Sequence, residues 1–237
     1  MDNLFYAPDI QTEPFLPKEE AQHCLKVLRM QKGDIISLTD GKGFFYQAEI
    51  TELTPHRCQF QILRTEEQQP SWSNRIEIAL APTKNMERTE WFAEKATEIG
   101  INKITFLKTR YSERKEIKPE RIRKILISAM KQSLKAHLPE LTEMMDIKRF
   151  IEQEFNGRKF IAHCHPGEKP LLSNEYKKGE NALVLIGPEG DFSQEEVVLA
   201  VAKGFIPVSL GESRLRTETA ALTACQTIHI VNQLSNE

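Results

Sequence analysis

The sequence predicts an α/β protein in two parts, a small β-rich module with one helix followed by a larger domain built on a parallel sheet. Three observations carry that expectation. Short runs of alternating apolar and polar residues, such as Cys58-Gln59-Phe60-Gln61-Ile62, read as half-buried antiparallel strands before residue 68. Beyond residue 75, apolar runs alternate with helical patterns, as when helices cover a parallel sheet. Between the two lies Gln68-Gln69-Pro70-Ser71-Trp72-Ser73-Asn74, a linker dividing domains over residues 1–67 and 75–237.

In the first part, Pro17 opens a helix through about Met30, with Glu19 and Glu20 in its first turn and Lys26 and Arg29 in its last. That charge order suits the helix dipole, and Gly33-Asp34 end the segment. Ile35–Leu38, the turn Asp40-Gly41-Lys42-Gly43, Phe44–Leu53 and Arg57–Leu63 then read as antiparallel strands. In the second part the strands are Ile76–Ala81, Ile104–Leu107, Phe160–Ala162, Ala182–Ile186 and Ile206–Ser209. The helices are Met86–Ile99 ended by Gly100, Pro119–His137, Asp146–Phe155, Ser193–Lys203 and Glu218–Leu234. Ligands of such sheets bind outside the carboxyl ends of strands, which directs attention to the loops after Ile186 and Ser209.

Composition narrows the class. Over 237 residues, 40% hydrophobic and 28% charged side chains are globular values that exclude wholesale disorder. No apolar run is long enough for a transmembrane helix, and the first residues from Met1 and Asp2 lack a signal-peptide pattern, so a soluble cytoplasmic protein is expected. Cys24, Cys58, Cys164 and Cys225 stand singly and read as buried, reduced thiols. The net charge of −2 hides an uneven distribution. Residues 1–70 carry seven basic and eleven acidic side chains, a net −4, whereas residues 108–135 carry ten basic and three acidic, a net +7. Such a stripe marks a possible anion contact.

Two segments look chemical. Leu183-Val184-Leu185-Ile186-Gly187-Pro188-Glu189-Gly190 is a buried strand running into a Gly-rich loop, and Ser193 with Glu196 then forms a capping box. Its spacing is neither that of a dinucleotide fingerprint nor that of a Walker loop, and a tight strand-to-helix turn would read the same way. In the second, Glu212-Ser213-Arg214-Leu215-Arg216-Thr217-Glu218 precedes an apolar helix, with Thr217 as N-cap. The triplet His163-Cys164-His165 reads as the core end of a strand, where neighbours face opposite ways and cannot converge on a metal. Trp72 and Trp91 read as packing residues.

The segments "LVLIGPEGDFSQEEV", "VSLGESRLRTETAAL", "AEKATEIGI" and "YSERK" together resemble the RsmE family of bacterial methyltransferases, which modify N3 of a uridine in 16S ribosomal RNA. "LKVLRMQKGDIISLTDGKG" is similar to that family's PUA-like RNA-binding barrel, so the resemblance spans the chain in order. It implies a SPOUT-type α/β domain whose carboxyl-terminal trefoil knot binds S-adenosylmethionine, acting as a homodimer without a metal. Cofactor contacts are implied at Ile186, Gly187, Pro188, Glu189, Gly190, Leu210, Gly211, Leu215, Arg216, Thr217, Thr219 and Ala220. Arg216 and Glu218 are the implied catalytic pair, the arginine stabilising negative charge on the base and a carboxylate, Glu218 or Glu189, taking its proton.

Three departures stand out. Asp191 occupies the place of a third loop glycine, Glu212-Ser213 replaces a more usual Pro-Arg, and Lys135 replaces an arginine. In the basic stripe, Ile122, Ile125, Leu126, Ala129, Met130, Ser133 and Leu134 define one buried helix face, leaving Arg121, Lys124, Lys131 and Lys135 toward solvent. Small-subunit rRNA is then expected to contact Arg29, Arg110, Arg114, Lys124, Lys131 and Lys135. The competing reading is a non-catalytic RNA-binding or ribosome-assembly protein that keeps the fold.

Overall fold

The computed structural model describes residues 3–70 and 72–234. The amino-terminal reading at Met1 and Asp2, the linker position Ser71 and the end of the second domain after Leu234 therefore lie outside the described residues. The chain divides into two compact units, Met1–Ser71 with Ile127–Leu138 and Trp72–Leu126 with Pro139–Glu237.

The first unit is a four-stranded sheet. Strand β1 (Leu4–Tyr6) lies parallel to β2 (Ile35–Thr39), and β3 (Phe44–Leu53) and β4 (Cys58–Glu67) continue antiparallel from it. Its core gathers Phe5, Ile36, Leu38, Tyr46, Ile50, Cys58 and Phe60. In the β2–β3 turn, Asp40 accepts from the backbone N–H groups of Lys42 at 2.7 Å and Phe44 at 3.3 Å and from the Tyr46 hydroxyl at 3.1 Å. Gly41 there has φ 74°, and a Cβ would lie 2.9 Å from the Tyr6 ring, so only glycine fits.

The helix expected to reach Met30 is shorter and changes pitch. Helix α1 covers Lys18–Gln22, and a π-helical turn then spans His23–Val27. Met30 N–H closes the end on Cys24 O at 3.0 Å, and Arg29 takes the left-handed φ of 53° that glycine usually supplies. The long basic helix also ends early. Helix α3 runs Pro119–Gln132 rather than to His137, because Leu134 is left-handed (φ 51°) and the chain then bonds to the β2–β3 turn. Gly43 N–H donates to Ala136 O and Leu138 N–H to Gly41 O, both at 2.9 Å. Leu134, expected on the buried face, is exposed as a result.

The second unit holds a seven-stranded sheet in which every ladder is parallel. Its elements are β5 (Ile76–Leu80), α2 (Met86–Ile99), β6 (Lys103–Lys108), β7 (Glu140–Leu141), β8 (Met145–Asp146), α4 (Ile147–Ile151), β9 (Arg158–Ala162), α5 (Leu172–Glu175), β10 (Ala182–Ile186), α6 (Gln194–Ala202), β11 (Ile206–Val208) and α7 (Thr217–Gln233). The spatial order is β11-β9-β10-β5-β6-β7, with β8 also on β6. Helices α2 and α7 pack together on one side, while Phe150, Phe192 and Phe205 join Leu183 and Leu185 in a cluster with α4 and α6. Both faces of β10 are thus covered and all five of its residues are buried, as its unbroken apolar run requires.

Helix α4, expected over Asp146–Phe155, stops at Ile151, where Gln153 and Gly157 turn the chain into β9. The short elements β7, β8 and α5 have too few residues to show a period. Trp72 packs as expected, its indole N–H 3.0 Å from Asn102 Oδ1 and its ring edge-on to His229, whereas Trp91 is exposed.

The capping box holds as read. Ser193 Oγ accepts from Glu196 N–H at 3.3 Å, and Glu196 returns a carboxylate oxygen to Ser193 N–H at 2.8 Å. The other Glu196 oxygen accepts from Arg110 N–H at 2.8 Å, so this buried carboxylate also anchors the loop after β6. Ser193→Ala should cost about 1 kcal/mol and lower the melting temperature by about 2–4 °C. Thermal unfolding checks this; an unchanged midpoint would show that the cap adds nothing.

Candidate active site

Three adjacent parallel strands end side by side at Ala162, Ile186 and Val208. The loops that leave them enclose a cavity of about 860 Å³. This size falls within the range of small-molecule sites. Apolar wall comes from Ile186, Leu210 and Leu215, and polar groups from the Gly187–Gly190 turn and from Arg214 and Arg216.

Every residue expected to touch the cofactor lines this cavity except Thr219, which is half-buried in α7. Thr217 was expected as the N-cap of α7. The cap is instead Arg216, whose carbonyl accepts from Ala220 N–H at 2.7 Å, and Thr217 is the first helical residue. This shift frees the Thr217 hydroxyl, which donates to Gly187 O at 3.1 Å and joins the loop after β11 to the loop after β10. Arg216 is exposed on the cavity wall, and among the described residues its guanidinium has no hydrogen bond or ion pair.

Glu218 is placed elsewhere. Its carboxylate is buried in the first turn of α7, off the cavity, with Oε1 3.8 Å from Arg88 Nε and Oε2 without a hydrogen bond among the described residues. A carboxylate there is favoured by the helix dipole. Glu189 does line the cavity, but its carboxylate accepts from Lys84 N–H at 3.0 Å, tying the GPEG turn to the loop after β5.

Asp191 takes a left-handed backbone, with φ 64°, a conformation that glycine adopts most readily. One carboxylate oxygen accepts from its neighbour Phe192 N–H at 2.8 Å and the other from Cys164 N–H at 2.7 Å. Aspartate is among the few residues that tolerate this region, and its side chain here adds a link that glycine lacks. Gly187 is confined more tightly, since a Cβ would meet the Asp191 and Phe192 backbone at 3.1 Å. Glu212 and Ser213 line the cavity beside Gly211.

The His163-Cys164-His165 reading needs correction. Rather than core, the segment forms cavity wall through His163 and an exposed Cys164, and the two imidazoles lie 5.3 Å apart. Neither ring is turned to a shared ligand, because His163 Nδ1 accepts from His165 N–H at 3.2 Å and His165 Nε2 meets Phe192 O at 2.7 Å. Burial, and next the Lys169 ammonium, push the His163 pKa below its usual value, which favours the neutral ring. Among the described residues, no group of three or more His, Cys, Asp and Glu side chains could hold a metal ion.

The basic residues divide by their partners. In the first unit Arg29 is exposed, but Lys131, expected in solvent, sits 2.5 Å from Glu20 and over the Phe5 ring. Lys135 is half-buried. In the second unit Lys124 is exposed, and Arg121 forms a 2.6 Å ion pair with Glu90. Arg110 pairs with Glu195 at 3.3 Å, and Arg114 donates to Lys84 O at 2.8 Å, its buried Nε having no hydrogen bond among the described residues.

Two family models match the chain, an RNA methyltransferase domain over residues 70–229 and an RNA methyltransferase PUA domain over residues 16–63. A parallel sheet with a strand-end cavity, joined to a PUA domain, is thus the make-up of an RNA methyltransferase. The Synechocystis ribosomal RNA small subunit methyltransferase E is 30% identical, the alignment covering 95% of this chain and 76% of that protein. A crystal structure of a probable rRNA-methyltransferase from Porphyromonas gingivalis is 48% identical with a TM-score of 0.93, covering 97% of this chain and 98% of that one. A Neisseria gonorrhoeae ribosomal RNA small subunit methyltransferase E bound to S-adenosyl methionine is 26% identical, with a TM-score of 0.84 and 97% of each chain covered. The chain belongs to the ribosomal RNA small subunit methyltransferase E family.

The thiols differ sharply in access. Cys24, Cys58 and Cys225 are buried, and burial pushes the Cys225 thiol up to about 12. Brief iodoacetamide treatment of the native protein at neutral pH should therefore alkylate Cys164 alone. Peptide mass spectrometry reads the outcome, and equal labelling of Cys225 would contradict the packing of α7.

Proposed function

We propose that this protein transfers a methyl group from S-adenosylmethionine to N3 of a uridine in 16S ribosomal RNA. The observation that carries the reading is the convergence of the loops after β9, β10 and β11 on one cavity lined by the expected cofactor residues. Those residues suit the cofactor, with an apolar wall for a flat adenine and exposed backbone and charged groups for its polar ends. When bound, the cofactor supplies an already activated sulfonium methyl.

The chain's residues must then align the base and assist loss of its N3 proton, because the protonated nitrogen has no lone pair to donate. As that proton leaves, negative charge spreads over the uracil ring, and the N3–methyl bond forms as the methyl–sulfur bond breaks. Arg216, at the cavity wall and without an ionic partner among the described residues, is proposed to stabilise that charge. Glu218 is proposed to act at one remove, by holding Arg88 and the first turn of α7, since its carboxylate is off the cavity. The knot implied by the resemblance belongs to this reading, its loops at residues 187–190, 210–211 and 215–220 being proposed to hold the cofactor. The amino-terminal domain, residues 1–67, is proposed to contribute RNA affinity through Arg29, with Lys135, which follows helix α3, as a further contact. In the carboxyl-terminal domain, residues 75–237, Arg110, Arg114 and Lys124 are the proposed phosphate contacts. Lys131, held by Glu20, is a weaker candidate. A cytoplasmic homodimer acting on the small subunit completes the proposal.

The direct test incubates the purified protein with S-adenosylmethionine and unmethylated small subunits, then maps N3-methyluridine by primer extension. A new stop at a single uridine is expected; cofactor binding without methylation would favour the ribosome-assembly reading.

Arg216→Lys keeps the charge and removes the planar fork. Its single-turnover rate should fall roughly tenfold to a thousandfold, with cofactor and RNA affinity nearly intact. Equal losses in binding and rate would reassign Arg216 to positioning.

A further inference from the structure

The loop after β6 carries an aromatic side chain that the reading above does not use. Thr109 N–H donates to Ser112 Oγ at 3.0 Å, Ser112 N–H returns to Thr109 O at 3.2 Å, and both residues are buried. Arg110 N–H is held by Glu196 at 2.8 Å. The backbone around Tyr111 is thus pinned on both sides, yet the Tyr111 side chain is 48% exposed. Among the described residues its hydroxyl has no hydrogen bond, so the phenol is not there to satisfy a polar partner.

Its position is specific. A Cβ added at Gly190 would lie 3.1 Å from Tyr111 Cβ and 3.6 Å from Cγ. Gly190 lines the cavity and Tyr111 does not, so the ring stands outside the cavity, against its rim. This gives the glycine a reason that sequence reading did not supply, since it clears space for a tyrosine beside the rim. The Arg110 guanidinium lies over the ring, 5.8 Å from its centroid, and is itself held by Glu195. A rigidly mounted, half-exposed aromatic ring with a cation beside it suits a flat, electron-poor π-system carried on a phosphate backbone.

We propose that Tyr111 is the stacking platform for the target base, receiving the extruded uracil at the cavity rim and presenting its edge to the cofactor side. The proposal rests on the RNA methyltransferase reading. A base inside folded RNA must leave its neighbours before its N3 can be reached, and stacking on an aromatic ring replaces part of what it loses. Tyr111 also stands on a different loop from Arg216, so the base would be held by β6 and acted on from the loop after β11.

The test compares Tyr111→Ala, Tyr111→Leu, Tyr111→Phe and Tyr111→Trp in methylation of unmethylated small subunits, with S-adenosylmethionine affinity measured in parallel by calorimetry. Ala and Leu should lower kcat/KM for RNA by roughly 5- to 150-fold, the span of stacking one base on a ring, and leave cofactor affinity unchanged. Phe and Trp should recover most of that loss, because both keep a π face. Leu is decisive, since it preserves apolar packing beside Gly190 without a ring. Wild-type kcat/KM in Tyr111→Leu would overturn the proposal, as would a Phe variant as impaired as Ala, which would assign the role to the hydroxyl. Loss of cofactor affinity in the Ala and Leu variants would instead make Tyr111 a support for the Gly190 loop. If the wild-type protein binds cofactor but methylates no uridine, the functional reading fails and the platform with it.

Discussion

Strand β10 is paired along its full length on both edges, to β5 on one side and β9 on the other, in parallel ladders five residues long. That pairing is the constraint from which the functional region follows. A strand flanked on both edges and covered on both faces can present polar chemistry only where it ends, at Gly187. Its carboxyl end lies level with that of β9, and β9 in turn is level with β11. The loops leaving these strands must therefore share one space, and the cavity is that space.

The cavity is then held in shape by single hydrogen bonds between loops distant in sequence. Thr217 to Gly187, Asp191 to Cys164 and Lys84 to Glu189 each cross between different strand ends. Glu196 does two jobs with one carboxylate, closing the cap of α6 and anchoring the loop after β6. Each such bond contributes modestly to stability; at the buried Thr217–Gly187 contact, breaking it would leave a buried carbonyl without that partner, a larger cost than the bond's net worth. Asp191 shows how a departure from the family pattern is absorbed. The backbone is left-handed, as glycine allows, and the side chain accepts from two N–H groups, which glycine could not do.

Charge is similarly divided between structure and function. The +7 stripe looks uniform in sequence, yet Lys131 is drawn in against Glu20, Arg121 forms an exposed ion pair with Glu90, and Arg114 is joined to a backbone carbonyl. A count of basic residues therefore overstates the surface available to RNA phosphates, because a cation already paired and drawn out of solvent, as Lys131 is, gains less from a second anion.

By itself the sequence determined the parallel second sheet, the extents of α2, β3 and β10, the Ser193 cap and the segments that meet at the cavity. Those features rest on local signals: unbroken apolar runs, cap chemistry at fixed spacing, and glycine at strand ends. Only the tertiary structure decided the rest. Helix α3 ends at Gln132 because Ala136–Leu138 bond to a turn some ninety residues earlier, a pairing with no local trace. The π turn after Gln22 likewise has no signal of its own in the sequence. Glu218 turns to Arg88 and away from the cavity because helical geometry places Thr217 and Glu218 on different faces. Cys164, indistinguishable in sequence from three buried thiols, is exposed because β9 ends two residues before it, at the mouth of the cavity. Local pattern specifies which segments form strands and helices; which side chains face the site depends on where each element stops, and distant partners set that.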